Sequence, residues 1–377
     1  MNVRHPFGNF YKNRRILVTG HTGFKGSWLS IWLTELGAKV TGYSLQPPTK
    51  PSMFAQCKLS RHMHSITGDI RDLTKLSTVI ESTRPEVVFH LAAQSLVRRS
   101  YRDPIETVAT NVLGTVNVLE AIRQRGKCVR VCQLITSDKC YANREIDHAY
   151  AEEEPMGGHD PYSASKGAAE IMIASFRRSF FSPVSHLPRK ISVSSARAGN
   201  VIGGGDWSED RILPDCIRAL SRKKPIPVRN PRAIRPWQHV LDALSGYLHL
   251  AHLQSTGDAI YADAWNFGPE KDEKMTVADL VKNVIGCWGG GSWIKNKPAK
   301  AGTKLHEATL LKLDCRKAEK LLKWRPVYTA EDCIKPTVAW YREACRGKSH
   351  FDGFALTSAQ IHRYMNTAKR RKILWAV

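Results

Sequence analysis

No apolar run in this sequence approaches the roughly 18 to 20 residues that a membrane span needs, so no membrane-spanning helix is expected. Internal repeats and low-complexity segments are absent, and a hydrophobic content of 42% excludes a disordered or collagen-like chain. The stretch Met1–Arg15 holds Arg4, Lys12, Arg14 and Arg15 without an apolar core, which is not the pattern of a secretory signal. Cysteines number nine and follow no framework. Cys128 and Cys132 are separated by three residues rather than two, and no second Cys/His pair stands at zinc-ligand spacing. No metal is therefore expected, His62 and His64 included, and a reducing, cytoplasmic setting fits the unpaired thiols. Acidic residues are scarce: 34 Asp and Glu against 57 Lys and Arg leave a formal charge of +23. Such a field attracts polyanions, nucleic acid among them. The cations are nevertheless spread along the chain, with only short clusters at Arg14–Arg15, Arg98–Arg99, Arg222–Lys224 and Lys369–Lys372. Charge alone selects no function.

What is present is alternation. Arg15 to Gly20 is a short β-branched run ending in glycine, which reads as a buried parallel strand. Gly20, Gly23 and Gly26 follow in the order G-x-x-G-x-x-G, then a helical stretch to a terminating Gly37, then a second strand over Ala38–Tyr43. Within a strand–helix–strand unit such glycines have definite uses. The first permits a tight turn, the second lets backbone approach a pyrophosphate, and the third allows close helix–strand packing. The pyrophosphate then meets helix N–H groups. Strands are expected at His64–Thr67, Val87–Ala93, Val129–Thr136 and Ile191–Ala196. Helices are expected at Asp72–Thr83, Pro104–Arg125, Pro161–Phe180 and Val240–His252. This pattern predicts an α/β, Rossmann-type doubly wound parallel sheet. Residues 1–198 would bind the dinucleotide. The less regular 199–377 would form a smaller C-terminal substrate-binding lobe and tail, with 234–256 returning to the first unit.

Tyr162 and Lys166 stand four apart at the start of the helix expected over Pro161–Phe180, and so share one face. A neighbouring ammonium favours phenolate, which would lower the tyrosine pKa and make a usable base. This spacing is common by chance. It gains weight because Thr136-Ser137-Asp138 ends a predicted strand, where ligands bind in open α/β sheets.

The fingerprint, His90-Leu-Ala-Ala-Gln94, Ser137-Asp138 and the Tyr162/Lys166 pair together resemble the extended short-chain dehydrogenase/reductase family of NAD-dependent epimerases and dehydratases. Longer blocks sharpen the resemblance: Val18-Thr-Gly-His-Thr-Gly-Phe-Lys-Gly-Ser-Trp28, Leu96-Val-Arg-Arg-Ser-Tyr101, Thr136-Ser-Asp-Lys-Cys-Tyr141, Gly203-Gly-Gly-Asp-Trp207 and Arg235-Pro-Trp-Gln-His-Val240. It runs from about Asn13 to Tyr341, with a weaker echo through Phe354–Tyr364. The resemblance implies oxidation of a sugar at C4, loss of water across C5–C6 and hydride return to C6. Tyr162 would take the 4-hydroxyl proton, Lys166 would tune it and hold the nicotinamide ribose, and Ser137 would bond O4. Asp138 would protonate the leaving hydroxyl and Lys139 would take the C5 proton. The dTDP-glucose branch carries Asp-Glu at these two positions, so Asp138-Lys139 agrees instead with the CDP-sugar branch and implies CDP-glucose as substrate. A plain loop ion pair is the alternative for these two side chains. A lysine acting as base must be neutral at some stage, which burial or nearby cations could arrange.

By the same resemblance Gly20, Thr22, Gly23, Phe24, Gly26, Asp69, Ile70, Leu91, Ala92 and Ala93 would line the cofactor, with Asp69 and Ile70 at the adenine. Gln46 stands where relatives often carry an acid, so NAD is favoured over NADP chiefly because the hydride is returned each turnover. Gln94, Asn200, Arg211, Arg235 and Trp237 would meet the nucleotide sugar, arginine suiting a diphosphate by its two-pronged hydrogen bonding. Trp207 and His239 could equally be packing residues. The helices over Pro104–Arg125 and Pro161–Phe180 would form a homodimer or a higher homo-oligomer. An epimerase, a dehydratase for another nucleotide sugar, or a nucleic-acid-binding protein on the same fold are the competing functions. An epimerase has no use for an elimination pair, and a binding module none for a tuned phenol. The tail Lys369-Arg-Arg-Lys372, beyond the resemblance, is expected to be a solvated end whose removal with Ala368–Val377 leaves turnover within a few-fold.

Overall fold

The computed structural model describes residues 5–182, 190–270, 275–295, 310–347 and 351–377. Its centre is a seven-stranded sheet built from β1 (Arg15–Thr19), β2 (Lys39–Ser44), β3 (His64–Thr67), β4 (Val87–His90), β5 (Val131–Ile135), β6 (Ser192–Arg197) and β7 (Ala264–Asn266). The order across the sheet is β7-β6-β5-β4-β1-β2-β3, and every pairing is parallel. The chain runs outward in both directions from β1 and β4, so the crevice at their carboxyl ends is the switch point where such sheets bind ligands.

Alternation within the strands makes two cores. Ile16 and Val18 of β1 and Phe89 of β4 face α1 (Phe24–Glu35) on one side of the sheet. Leu17 and Val88 face α2 (Leu73–Thr83), α3 (Gly114–Arg125) and α4 (Pro161–Ser179) on the other. Side chains on successive strand residues point to opposite faces, and a sheet covered on both faces needs them apolar throughout. A third apolar cluster, from α5 (Ile212–Ser221), α7 (Val277–Trp288) and α8 (Ala330–Cys345), holds the lobe together. Between them α6 (Val240–Gln254) lies against the sheet, where Gln133 of β5 donates to the Tyr247 carbonyl at 3.2 Å.

Element ends differ modestly from expectation. The chain leaves β4 at His90, so Leu91–Ala93 form loop rather than strand. The helix expected over Pro104–Arg125 contains a wide π turn at Ala109–Leu113. There Asn111 turns its amide to the Gln94 backbone, accepting from its N–H at 2.9 Å and donating to its carbonyl at 3.0 Å, and also donates to Ser165 at 2.9 Å. A short helix, Val97–Arg102, was not foreseen; it presents Ser100 to the Tyr162 N–H at 3.1 Å.

The tail corrects the sequence expectation. α9 (Gly353–Arg370) packs along α1, and the chain then folds Ile373, Trp375 and Ala376 into the core with 2% exposure each. The Trp375 ring stacks on Phe7 at 4.9 Å and on Tyr364 at 5.9 Å. The cations Lys369–Lys372 are exposed as expected, but they are the outer face of a buried segment. A run of four charges hid the apolar positions behind it.

Candidate active site

Two glycines of the fingerprint are demanded by the backbone itself. Gly20 has φ +75°, and a Cβ there would lie 2.6 Å from the Ala92 nitrogen. A Cβ on Gly26 would lie 2.1 Å from the Gly20 carbonyl oxygen. Gly23 is different: its Cβ would meet only that carbonyl oxygen, at 3.3 Å. It caps α1 without any side-chain hydrogen bond, so the N–H groups of the first turn have no side-chain cap. Thr22 ties this turn to the end of β2, bonding Ser44 Oγ at 2.8 Å and the Leu45 carbonyl at 3.0 Å. Phe24 opens α1, and half-buried Leu91, Ala92 and Ala93 follow β4, with the Leu91 and Ala92 backbone against Gly20. After β3, the Asp69 carbonyl accepts from the Tyr43 hydroxyl at 2.9 Å. The Asp69 carboxylate is held by Arg71 at 2.6 Å, which keeps it below its ordinary pKa. Ile70 is buried against Gly114, where a Cβ would strike its side chain at 2.5 Å. Gln46 donates to Thr67 Oγ1 at 3.2 Å.

Beyond β5, Ser137, Asp138, Tyr162 and Lys166 are buried near one another, and Lys139 follows Asp138 in the same turn. Ser137 Oγ donates to Asp138 Oδ1 at 2.8 Å and bonds the Tyr162 hydroxyl. Asp138, Tyr162 and Lys166 are buried, and Lys139 is half-buried. Asp138 packs so closely on Gly199 that a Cβ there would lie 1.9 Å from Oδ2. Burial pushes Tyr162 up to about 12, against the lowering expected from the sequence; Ser137 and Arg211 pull the other way, and Asp138 reinforces the rise. Burial also lowers Lys166 to about 8, with Glu170 and Cys140 supporting its charge. The desolvation that lowers this lysine is the same effect that raises the phenol.

Residues 17–337 match the family model described as GDP-mannose 4,6 dehydratase. The chain belongs to that family. It is 47% identical to a CDP-glucose 4,6-dehydratase of Salmonella typhimurium, over 96% of this chain and 99% of that protein. It is 28% identical to a dTDP-glucose 4,6-dehydratase of Neisseria gonorrhoeae, over 87% and 95%. Among solved structures, the fold matches a Bacillus anthracis dTDP-glucose 4,6-dehydratase in complex with NAD. The TM-score is 0.70 and the identity 22%, covering 87% of this chain and 96% of that one. A Thermotoga maritima UDP-glucose 4-epimerase with UDP-glucose matches with TM-score 0.72 at 23% identity, covering 87% and 99%.

In this 4,6-dehydratase frame the residues named for the nucleotide sugar are not equally placed. Arg211, at the start of α5, pairs with Asp206 at 2.8 Å and reaches Ser95 Oγ at 3.3 Å, close enough to Tyr162 to affect its ionisation. Asn200 has φ +50°, and its carbonyl accepts from the Gln238 N–H at 3.3 Å, bringing it beside Trp237. Trp237 is buried, and its indole N–H has no partner among the described residues. Arg235 is half-buried, with Nη1 donating to the Ile234 carbonyl at 3.3 Å. Gln94 is turned inward: its amide donates to Thr107 at 3.0 Å and accepts from the Leu96 N–H at 2.6 Å. Trp207 donates to Gln56 at 2.7 Å, and His239 is fully buried and kept neutral by burial, so both have packing roles.

Sequence reasoning missed Lys25. It projects from the first turn of α1 into the same charge cluster, where burial, Lys166 and Arg211 lower its pKa to about 7 and Asp138 opposes them. The available signal was a cation within Gly23-Phe-Lys-Gly26, where packing against the sheet needs none. No three His, Cys, Asp or Glu side chains gather as a metal-holding group among the described residues.

Proposed function

We propose that the protein is an NAD-dependent hydro-lyase that converts CDP-glucose to CDP-4-keto-6-deoxyglucose. The observation that carries this is the Ser137-Asp138-Lys139 turn packed against Tyr162 and the buried Lys166. The choice of CDP follows the relative that is 47% identical over nearly the whole chain and named as acting on CDP-glucose. NAD fits the turn at Gly20–Gly26, where two positions exclude any Cβ and the third leaves room for a pyrophosphate against the helix end. When bound, it supplies a hydride acceptor and donor.

This chain's residues do the proton work. Ser137 bonds O4, and Tyr162 takes the 4-hydroxyl proton. The Lys166 ammonium stabilises the phenolate form in which Tyr162 takes that proton. The new C4 ketone acidifies C5, so Lys139 takes that proton and Asp138 gives one to the oxygen leaving C6. Hydride from C4 returns to C6, and Lys139 gives its proton back to C5, which completes the 6-deoxy sugar. Arg211, Arg235, Asn200 and Trp237 hold the nucleotide diphosphate on the lobe side, with Gln94 at the sugar. Within this assignment, 1–198 together with α6 serves the cofactor and 199–377 mainly the substrate.

Ile105, Val108, Leu113 and Ile171 are exposed apolar side chains along the Pro104–Leu113 stretch and α4. They suit a homodimer formed by pairing these helices. No helix among the described residues is long and apolar enough to cross a membrane, and a cytoplasmic site of action suits the free cysteines.

A panel of CDP-, dTDP-, UDP- and GDP-glucose, scored by mass spectrometry for loss of water, tests the assignment. Dehydration is expected with CDP-glucose well ahead of the others. Equal rates with dTDP-glucose would remove the CDP assignment.

A further inference from the structure

The segment from Thr136 to Tyr141 carries Ser137, Asp138 and Lys139, and one buried ion pair holds it at both ends. Glu170 lies one turn beyond Lys166 on α4, and Arg197 ends β6; they meet at 2.8 Å with 4% side-chain exposure each. Glu170 accepts from Thr136 Oγ1, and from Ser195 Oγ at 2.7 Å. Arg197 donates to the Tyr141 hydroxyl at 2.6 Å and to the Glu152 carbonyl at 3.0 Å. The Tyr141 hydroxyl in turn donates to Asn266 at 2.8 Å. Burying an ion pair gains little stability over apolar side chains of the same volume. What it does supply is direction, through charge-assisted hydrogen bonds of fixed geometry.

We propose that Glu170 and Arg197 are positioning residues that hold Ser137, Asp138 and Lys139 in register with Tyr162 and Lys166. The proposal rests on the dehydratase reaction given above. Tyr162, Lys166 and Glu170 follow at four-residue spacing on one face of α4, so a single helix face reaches both the phenol and the tether of the opposing turn. Without the tether, the elimination pair could drift relative to the base at C4. Misplacement of that kind by about 1 Å can cost on the order of 10²-fold in rate.

The pair also sets charge at the site. Lys166 is faced by Glu170 on its own helix, Cys140 after β5, Lys25 on α1 and His90 at the end of β4. Glu170 is the carboxylate among them that supports the ammonium, while burial opposes it. Removing the Glu170 charge therefore lowers the Lys166 pKa. If turnover needs charged Lys166, the alkaline limb of the kcat profile moves to lower pH.

Thr136→Val and Tyr141→Phe each remove one tether without uncovering a charge, and Thr136→Ser keeps the hydroxyl. Assays use the nucleotide glucose that the wild type dehydrates fastest, so failure of the CDP assignment leaves this test standing. Both tether variants are expected to lose about tenfold or more in kcat, with substrate KM and melting temperature near wild type. Thr136→Ser should recover most of the loss. Glu170→Gln should move the alkaline limb downward. If the tether variants turn over like wild type and Glu170→Gln lowers only the melting temperature, with its pH profile unmoved, the pair is scaffold alone and the proposal is overturned.

Discussion

At the scale of single residues, burial lowers the pKa of Lys25, as it does that of Lys166. Lys25 sits among Lys166, Arg211 and Asp138 with a pKa near about 7, so its charge changes across neutral pH. A diphosphate-bearing substrate keeps its charge over that range. Binding should therefore tighten as pH falls through about 7 and the ammonium forms, and weaken above it. Lys25→Met should flatten the profile, read as substrate Kd between pH 6 and 8. A steep profile surviving in Lys25→Met would assign the titration to another group. The division of labour between Tyr162 and Lys139 is separable too. Tyr162→Phe removes the base for the 4-hydroxyl and should block the reaction before NADH forms, losing about 10²- to 10⁴-fold. Lys139→Ala should lose turnover comparably yet let bound NADH accumulate, because hydride leaves C4 and then waits for elimination. Single-turnover absorbance with C4-deuterated substrate distinguishes them. Normal turnover by Lys139→Ala would make Asp138-Lys139 a loop ion pair.

At the scale of elements, the glycine turn shows what a sequence makes legible and what it does not. The spacing of Gly20, Gly23 and Gly26 was enough to place a tight glycine turn between β1 and α1, and alternating strands and helices were enough for the sheet. The spacing could not rank the glycines. Only the assembled backbone shows that Gly26 abuts the Gly20 carbonyl and Gly20 abuts Ala92, whereas Gly23 is merely tight. Gly26→Ala should therefore cost stability, about 1–3 kcal/mol as overpacking, visible as a lowered melting temperature without cofactor. Gly23→Ala should melt like wild type but bind NAD more weakly by calorimetry. If the two behave alike, the turn tolerates more movement than its contacts indicate. Other features stayed hidden for a similar reason. The π turn at Ala109–Leu113 carries Asn111, which bonds the Gln94 backbone. The pairing of Glu170 with Arg197 joins residues of α4 and β6 that no local pattern connects. Likewise the phenol's pKa depended on how deeply the fold buries it, which a four-residue spacing cannot report.

At the scale of the whole molecule, the two ends of the chain close one structure. Phe7 near the start, Trp32 on α1, Tyr364 on α9 and Trp375 near the finish form one aromatic cluster, with Trp375 stacked between Phe7 and Tyr364. α1 is the helix whose first turn is proposed to hold the cofactor, and this cluster packs behind that helix. Tyr364 carries the packing onward, donating to Asp242 at 2.7 Å on α6. Asp242 in turn accepts from the Val327 N–H at 2.6 Å at the lobe. Deleting Ala368–Val377 removes buried Ala368, Ile373, Trp375 and Ala376 together and uncovers Phe7 and Tyr364. A Trp-to-Ala change in a packed core costs about 3–5 kcal/mol, and marginal stability is about 5–15 kcal/mol. The deletion should thus leave little folded protein, read as loss of a cooperative melting transition. Trp375→Ala should fold with a clearly lowered melting temperature and weaker NAD binding, since the support behind α1 loosens. Replacing Lys369, Arg370 and Lys372 with Gln should do neither, because those side chains are exposed and their charge holds nothing inside. A deletion protein that melts cooperatively near the wild-type temperature would show that the aromatic cluster only covers α1 and does not brace it.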